Sequence, residues 1–130
     1  MSNLSENLEH MLNQKTFAHL ATVMEDGSPQ VSPVWIDHEG GHIRVNSARG
    51  RVKDKNMRRT PDVAISMTDP ENPYKFISVK GKVVEVTEDG ADAHIDALAY
   101  KYLGQETYPY RQDGEVRVIY KIEVQQVSGN

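Results

Sequence analysis

A chain of 130 residues, 38% hydrophobic and 26% charged, has the composition of an ordinary soluble globular protein. Its length buries about two thirds of the unfolded surface, so residues 1–130 are expected to form a single domain. The absence of cysteine excludes disulfides, thiolate catalysis and cysteine-bound zinc or iron–sulfur clusters, and the net charge of −4 argues against a general nucleic-acid binder.

The polar, acidic residues 1–14 lack the basic and apolar regions of a signal peptide, and no run approaches the length of a bilayer span. A cytoplasmic protein without a membrane partner is expected. Leu4, Leu8, Met11 and Leu12 recur at helical spacing, with Ser2 or Ser5 as the cap, and predict a short amphipathic helix. Residues 16–24 alternate as a strand, and Glu25-Asp26-Gly27-Ser28-Pro29 forms a hairpin turn whose Asp-Gly step tolerates positive φ. Residues 30–37 are the returning strand, with Pro33 placing part of it at an edge or bulge. His38-Glu39-Gly40-Gly41 turns the chain again into a third strand at 42–47.

Next comes the main charge feature. Six of the fifteen Lys and Arg residues, Arg49, Arg51, Lys53, Lys55, Arg58 and Arg59, fall within eleven positions, opposed there only by Asp54. They lie where the third strand gives way to a helix that Thr60-Pro61 stops. The first amides of a helix have no intrahelical acceptor, and no Ser, Thr, Asp or Asn stands immediately before Val52 to cap them. With the helix dipole added, this start suits an anion such as a phosphate. The bland alternatives are solvated charges for Arg51 and Lys53, and dipole-satisfying charges for Arg58 and Arg59.

A fourth strand is predicted at 63–68, a rigid loop at Asp69-Pro70-Glu71-Asn72-Pro73, and a long fifth strand at 76–86 whose Gly81 marks a bulge or close backbone approach. Residues 91–103 read as a helix with Ile95, Leu98, Ala99 and Tyr102 on one face, ended by Gly104. A loop with Tyr108 and Tyr110 leads to a last strand at 116–127. Six strands punctuated by three helices, without β-α-β alternation, indicate an antiparallel barrel or sandwich.

Side-chain chemistry is sparse. Among the five histidines only His38 and His42 are close, and solvated turn residues are the better reading of them than a metal site, so no metal is assigned. His19 reads as a structural strand residue rather than a base. No Gly-x-Ser-x-Gly elbow or Walker-type loop is present, and Asp69 and Glu71 form no identifiable catalytic pair. An enzyme built this way borrows its reactivity from a cofactor, which agrees with an anion site made for a phosphate tail.

Three segments carry a likeness to a known family: Val31-Ser32-Pro33-Val34-Trp35, the run at 45–61 with its Arg-x-Lys-x-x-Asn-hydrophobic-Arg-Arg-x-Pro block, and Ser78-Val79-Lys80-Gly81-Lys82-Val83. They resemble the pyridoxamine 5′-phosphate oxidase-like superfamily, above all its small deazaflavin-dependent branch, the flavin/deazaflavin oxidoreductases of the B group. The likeness runs from about residue 16 to the final strand, and the block at 51–61 is its most specific part. It implies an all-β-dominated α+β fold, a six-stranded antiparallel split β-barrel of the FMN-binding type with short flanking helices. It also implies a homodimer with the cofactor at the subunit interface. Carried over by position, Arg51, Lys53 and Asn56, with Val52 between, match the phosphate-binding places at 51–56. Ser47 matches the small hydroxyl residue at the strand end. Gln30, Ser32, Pro33 and Trp35 match the strand beside the ring, with core or interface packing as the plain alternative for Trp35.

No catalytic residue carries over, because the family has no common acid–base residue. The implied function is hydride transfer from reduced coenzyme F420 to a small conjugated or quinone-like acceptor. Lys53, Lys55, Arg58 and Arg59 supply more positive charge than one FMN phosphate requires, which favours F420 over FMN. The alternatives are an FMN-dependent enzyme of the same fold and a non-catalytic carrier of F420 or flavin. Nucleic acid ranks last, since the cluster lacks interleaved aromatics for stacking.

Overall fold

The computed structural model describes residues 4–129. In chain order the elements are α1 (Glu6–Leu12), β1 (Ala18–Val23), β2 (Pro29–Val34), β3 (Ile36–Glu39), β4 (His42–Ala48), α2 (Val52–Arg59), β5 (Asp62–Asp69), β6 (Asn72–Thr87), α3 (Ala91–Leu103) and β7 (Arg117–Gly129). Ser5 is the cap of α1, its Oγ accepting the Leu8 amide at 3.3 Å, and Ser2 lies outside the described residues.

Among the described residues seven strands, one more than expected, form a single antiparallel sheet in the order β2-β1-β5-β6-β7-β4-β3. The extra strand arises at Trp35. The segment 30–37, expected to be one strand, is split there into β2, which pairs with β1, and β3, which pairs with β4. Pro33 has no amide to donate to the ladder, so β2 sits at an edge, with Pro33 opposite His19. The two edges of the sheet are therefore consecutive in sequence and joined by one residue. Such a sheet must curl, and it does so as a half-barrel.

The pleat sends alternate residues inward. Leu20, Val45, Ile65, Met67, Val79, Tyr120 and Ile122 are buried in the interior. Full burial of an aliphatic side chain contributes about 1.5–3 kcal/mol. Helix α1 adds Leu8, Met11 and Leu12 to the same core, and α2 adds Met57. Contacts of α1 with β3 and β5, and of α2 with β1 and β4, lay each helix across strands distant in the sheet. Near the end of α3, Lys101 Nζ donates to the carbonyls of Leu12 and Ile36 at 2.5 and 2.6 Å, tying α3 to α1 and β3. Burial lowers the Lys101 pKa to about 8.

Two local expectations meet different outcomes. The register shifts between Lys80 and Gly81, where a Cβ would stand 2.7 Å from Ile122 Cγ2 and 2.8 Å from the Glu123 carbonyl oxygen, so the close approach read from the sequence is present. The loop predicted at 69–73 is instead a tight hairpin, with Asp69 paired to Asn72 and the Glu71 amide donating to Asp69 Oδ1 at 2.8 Å. Pro70 presets a turn, and Pro73 is tolerated near the start of a strand. Among the described residues no helix is long and apolar enough to cross a membrane.

Candidate functional site

Strand β4 ends at Ala48, and the chain turns through Arg49 and Gly50, whose φ of +91° favours glycine. Arg51 is the N-cap of α2 in an extended conformation and makes no side-chain capping bond. Asp54 faces inward. Its Oδ2 accepts the Gly50 amide at 2.9 Å, and its Oδ1 accepts the Tyr120 hydroxyl at 2.5 Å and Arg58 Nε at 2.9 Å. Burial pushes this carboxyl up, but the bonds from Tyr120, Gly50 and Arg58 outweigh it and hold the pKa below the ordinary value. Burial and the neighbouring Asp54 raise the Tyr120 phenol in turn.

The six cations divide by partner. Arg49 pairs with Glu88, Arg58 with Asp54, and Arg59 donates to the Val23 carbonyl at 3.2 Å and to Asn56 Oδ1 at 2.8 Å. Lys55 is exposed. Arg51 and Lys53 line a cleft of about 290 Å³. One wall is the β2–β3 junction, with Pro33, Val34 and Trp35 beside Phe17. Asn46 of β4, Arg117 of β7, Ile95 of α3, Tyr108 and Tyr110 complete the cleft lining. Trp35 is held in place by Tyr102, stacked at 5.4 Å and 7°, and by the edge of Tyr108 at 5.9 Å. A neighbouring cleft of about 390 Å³, between residues 48–51 and 112–116, shares Arg51 with the first.

A chain of polar contacts underlies the cleft. Arg44 grips Asp37 through two bonds at 3.0 and 2.8 Å, and His94 Nε2 donates to Asp37 Oδ1 at 3.1 Å. Burial favours the neutral Asp37, but His94 and Arg44 hold its pKa below the ordinary value. Asn46 Nδ2 donates to the Ala91 carbonyl at 3.0 Å and contacts His94 Nδ1 at 3.1 Å, while His94 Nε2 faces Asp37. Asn46 Oδ1 then accepts Arg117 Nε at 2.9 Å. Arg117 Nη1 donates to Glu115 Oε1 at 2.8 Å, and Glu115 Oε2 lies 3.5 Å from Arg51 Nη2.

Of the residues singled out from sequence, the structure brings Pro33, Trp35, Arg51 and Lys53 together in the cleft. Gln30, Ser32, Ser47, Val52 and Asn56 are not in its lining. The pleat explains the strand residues. Gln30 and Ser32 pair with Thr22 and Leu20, whose side chains are buried, whereas Pro33 stands on the other face. Ser47 is likewise buried, and neither serine Oγ has a hydrogen-bond partner among the described residues. Asn56 Nδ2 donates to Thr22 Oγ1 at 3.0 Å, and Thr22 Oγ1 donates to Gln30 Oε1 at 3.1 Å, beneath α2. Val52 is half exposed. Sequence reasoning missed Asn46, Glu115 and Arg117. The available signal was a charged Arg117 set between Val116 and the apolar run at 118–120. Among the described residues no group of three or more His, Asp or Glu side chains could hold a metal, and His38 instead contacts Asn13 Oδ1 at 2.9 Å.

Residues 4–130 match the family described as pyridoxamine 5′-phosphate oxidase. The chain belongs to that family. A solved structure titled F420 Reductase superposes with a TM-score of 0.84 at 34% identity, covering 96% of this chain and 98% of the other. A conserved hypothetical protein from Mycobacterium tuberculosis shares the fold at 21% identity and a TM-score of 0.73, over 97% of this chain and 84% of its own. A NimC/NimA family protein from Clostridium acetobutylicum does so at 22% identity and a TM-score of 0.63, over 89% and 80%. No curated protein matches the chain.

Proposed function

We propose that the protein is an oxidoreductase that binds coenzyme F420 in the cleft between Trp35 and Lys53 and reduces a small conjugated or quinone-like acceptor. One observation carries this reading: Pro33 and Trp35 share one cleft of about 290 Å³ with Arg51 and Lys53, at a helix start without a side-chain cap. A planar ring suits the apolar pair and an oxyanion the basic pair. The likeness to the protein titled F420 Reductase supports the choice of cofactor. The donor set fits the group, because Arg51 and Lys53 supply charged donors and the adjoining cleft past Arg51 offers room for an anionic tail.

Reduced F420, when bound, supplies a hydride from its ring carbon. The chain's own part is to orient donor and acceptor and to keep water from between them. None of the cleft-lining residues is His, Asp or Glu, which favours chemistry without a dedicated side-chain base.

The same reading includes a homodimer. Phe17 and Val31 are 68% and 63% exposed, and the outer face of β1, β2 and β5 is built largely of small residues such as Ala21, Ala64 and Ser66. A second copy covering this face would also protect the β2 edge. The decisive experiment measures dissociation constants for F420 and FMN side by side, then oxidation of reduced F420 against a panel of quinones. Tighter F420 binding with turnover is expected. Tighter FMN binding gives the cofactor to the flavin, and F420 binding without turnover against any acceptor makes the protein a carrier.

A further inference from the structure

The cleft carries more positive charge than the adjoining Glu115 balances. Arg117 is 4% exposed, and its guanidinium lies 5.1 Å from the centre of the Tyr108 ring. Its Nε and Nη1 are taken by Asn46 and Glu115, while Nη2 makes no hydrogen bond among the described residues. Lys53 shares the cleft, and its pKa is lowered by burial first, then by the charges of Arg51 and Arg117. Among the described residues Glu115, 6% exposed at its side chain, is the one carboxylate touching Arg51 and Arg117. Three cations therefore face one acid. Arg117 is buried and Lys53 partly buried beside the more exposed Arg51, and a bound oxyanion offsets the repulsion among these neighbouring like charges.

The arrangement is also held rigid. Because Asn46 Nδ2 faces Ala91 and His94, its Oδ1 is left for Arg117, and His94 is anchored by Asp37. A side chain fixed from behind and open in front is suited to meeting a ligand.

We propose that Arg117 and Lys53 form an oxyanion subsite in the wall of the cleft, and that Glu115 restrains its affinity by neutralising part of the charge. This rests on the reading of the cleft as the place of a ring-bearing ligand. The oxyanion is a phosphate group of the cofactor or an acidic substituent of the acceptor. Both are met by the same guanidinium and ammonium donors.

The test uses the full chain and its Arg117→Gln, Arg117→Lys and Glu115→Gln variants. Thermal stabilisation by inorganic phosphate reads the subsite without any cofactor. Titration with FMN and with riboflavin, which share a ring and differ by the phosphate, reads the cofactor arm. Michaelis constants for 1,4-naphthoquinone and its 2-sulfonate read the acceptor arm. Arg117→Gln is expected to lose most of the stabilisation by phosphate. It should also weaken either FMN or the sulfonate tenfold or more, with riboflavin and the plain quinone unchanged, and Arg117→Lys should recover part of the loss. Selective loss in the FMN arm assigns the subsite to the cofactor, and in the sulfonate arm to the acceptor.

Glu115→Gln keeps the side-chain shape and removes one charge, so it should bind phosphate severalfold more tightly. It remains decisive even if Arg117→Gln fails to fold. Equal losses for charged and uncharged partners, or phosphate binding that is unchanged or weaker in Glu115→Gln, would overturn the proposal. If phosphate binding depends on Arg117 while the parent takes neither F420 nor FMN, the subsite stands and the cofactor reading fails.

Discussion

The Tyr120 hydroxyl donates to Asp54 Oδ1 at 2.5 Å, joining a fully buried residue of β7 to the first turn of the basic helix. The same carboxylate holds the Gly50 amide, so one buried acid sets the path of the chain into Arg51. Asp54 thus sets the start of the helix while pairing with Arg58 alone of the six cations.

Tyr120→Phe should therefore cost about 1.5–3 kcal/mol, the value of a hydrogen bond to a charged group. The pH dependence follows from the lowered Asp54 pKa. With its folded value below the unfolded value of about 3.9, Asp54 contributes stability that is complete above that value and lost as pH falls through the folded pKa. Removing the Tyr120 bond raises the folded pKa. Acid unfolding followed by circular dichroism should move its midpoint to higher pH in Tyr120→Phe, and an unmoved midpoint would show that the bond does not stabilise the carboxylate.

At Gly81 the prediction is steric. An added Cβ lies inside van der Waals contact of the Glu123 carbonyl oxygen, a backbone atom with little freedom to retreat. Gly81→Ala should destabilise the fold by about 1–3 kcal/mol in urea denaturation. Gly27→Ala is a useful contrast, because nothing lies within 4 Å there and only its φ of +88° opposes the change.

His94 should behave unlike the other histidines. It is buried between Asp37 and Asn46, and its removal deletes one hydrogen bond of each, about 1–3 kcal/mol for the two, while Arg44 still holds Asp37 and Ala91 and Arg117 still hold Asn46. His94→Ala is expected to lower the melting temperature by several degrees, whereas His19→Ala, His38→Ala and His42→Ala should leave it nearly unchanged. Turnover per folded molecule should survive in all four. A loss of a thousandfold in any of them, about 4 kcal/mol of transition-state stabilisation, would identify a base that the proposed chemistry does without.

The elements were readable in the sequence wherever the cause is local. Ser5 before an apolar 3–4 repeat, Gly104 after one, and Thr60-Pro61 closing the basic helix all act within a turn of where they stand. The break at Trp35 was not, because nothing local says that β2 and β3 belong to opposite edges of one sheet. Closure of the half-barrel decides that. At the site, the run of cations was visible, but its division was not. Partners for Arg49 and Arg59 come from residues 39 and 36 positions away. Likeness to the family selected Gln30, Ser32, Pro33, Trp35 and Ser47, of which Pro33 and Trp35 line the cleft, joined by Asn46, which strand alternation sets on the face opposite Ser47. Arg117 lies 71 residues from its partner Asn46, a pairing set by the β4–β7 ladder.

The central claim is that Arg51 and Lys53 hold an oxyanion of the cofactor. Its most direct test is titration of Arg51→Ala, Lys53→Ala and Lys121→Ala with F420 and with FMN at low and high salt. Lys121 is a control on β7, paired with Glu85 at 3.5 Å and outside the cleft. Each of the first two changes should cost about 1.5–3 kcal/mol, roughly tenfold to a hundredfold in affinity, with little change in fold stability. The parent's affinity should fall as salt rises, and less steeply in these two variants, since part of the screened attraction is already gone. Lys121→Ala should match the parent. If Arg51→Ala and Lys53→Ala bind both cofactors as tightly as the parent does, the oxyanion is held elsewhere and the account is contradicted.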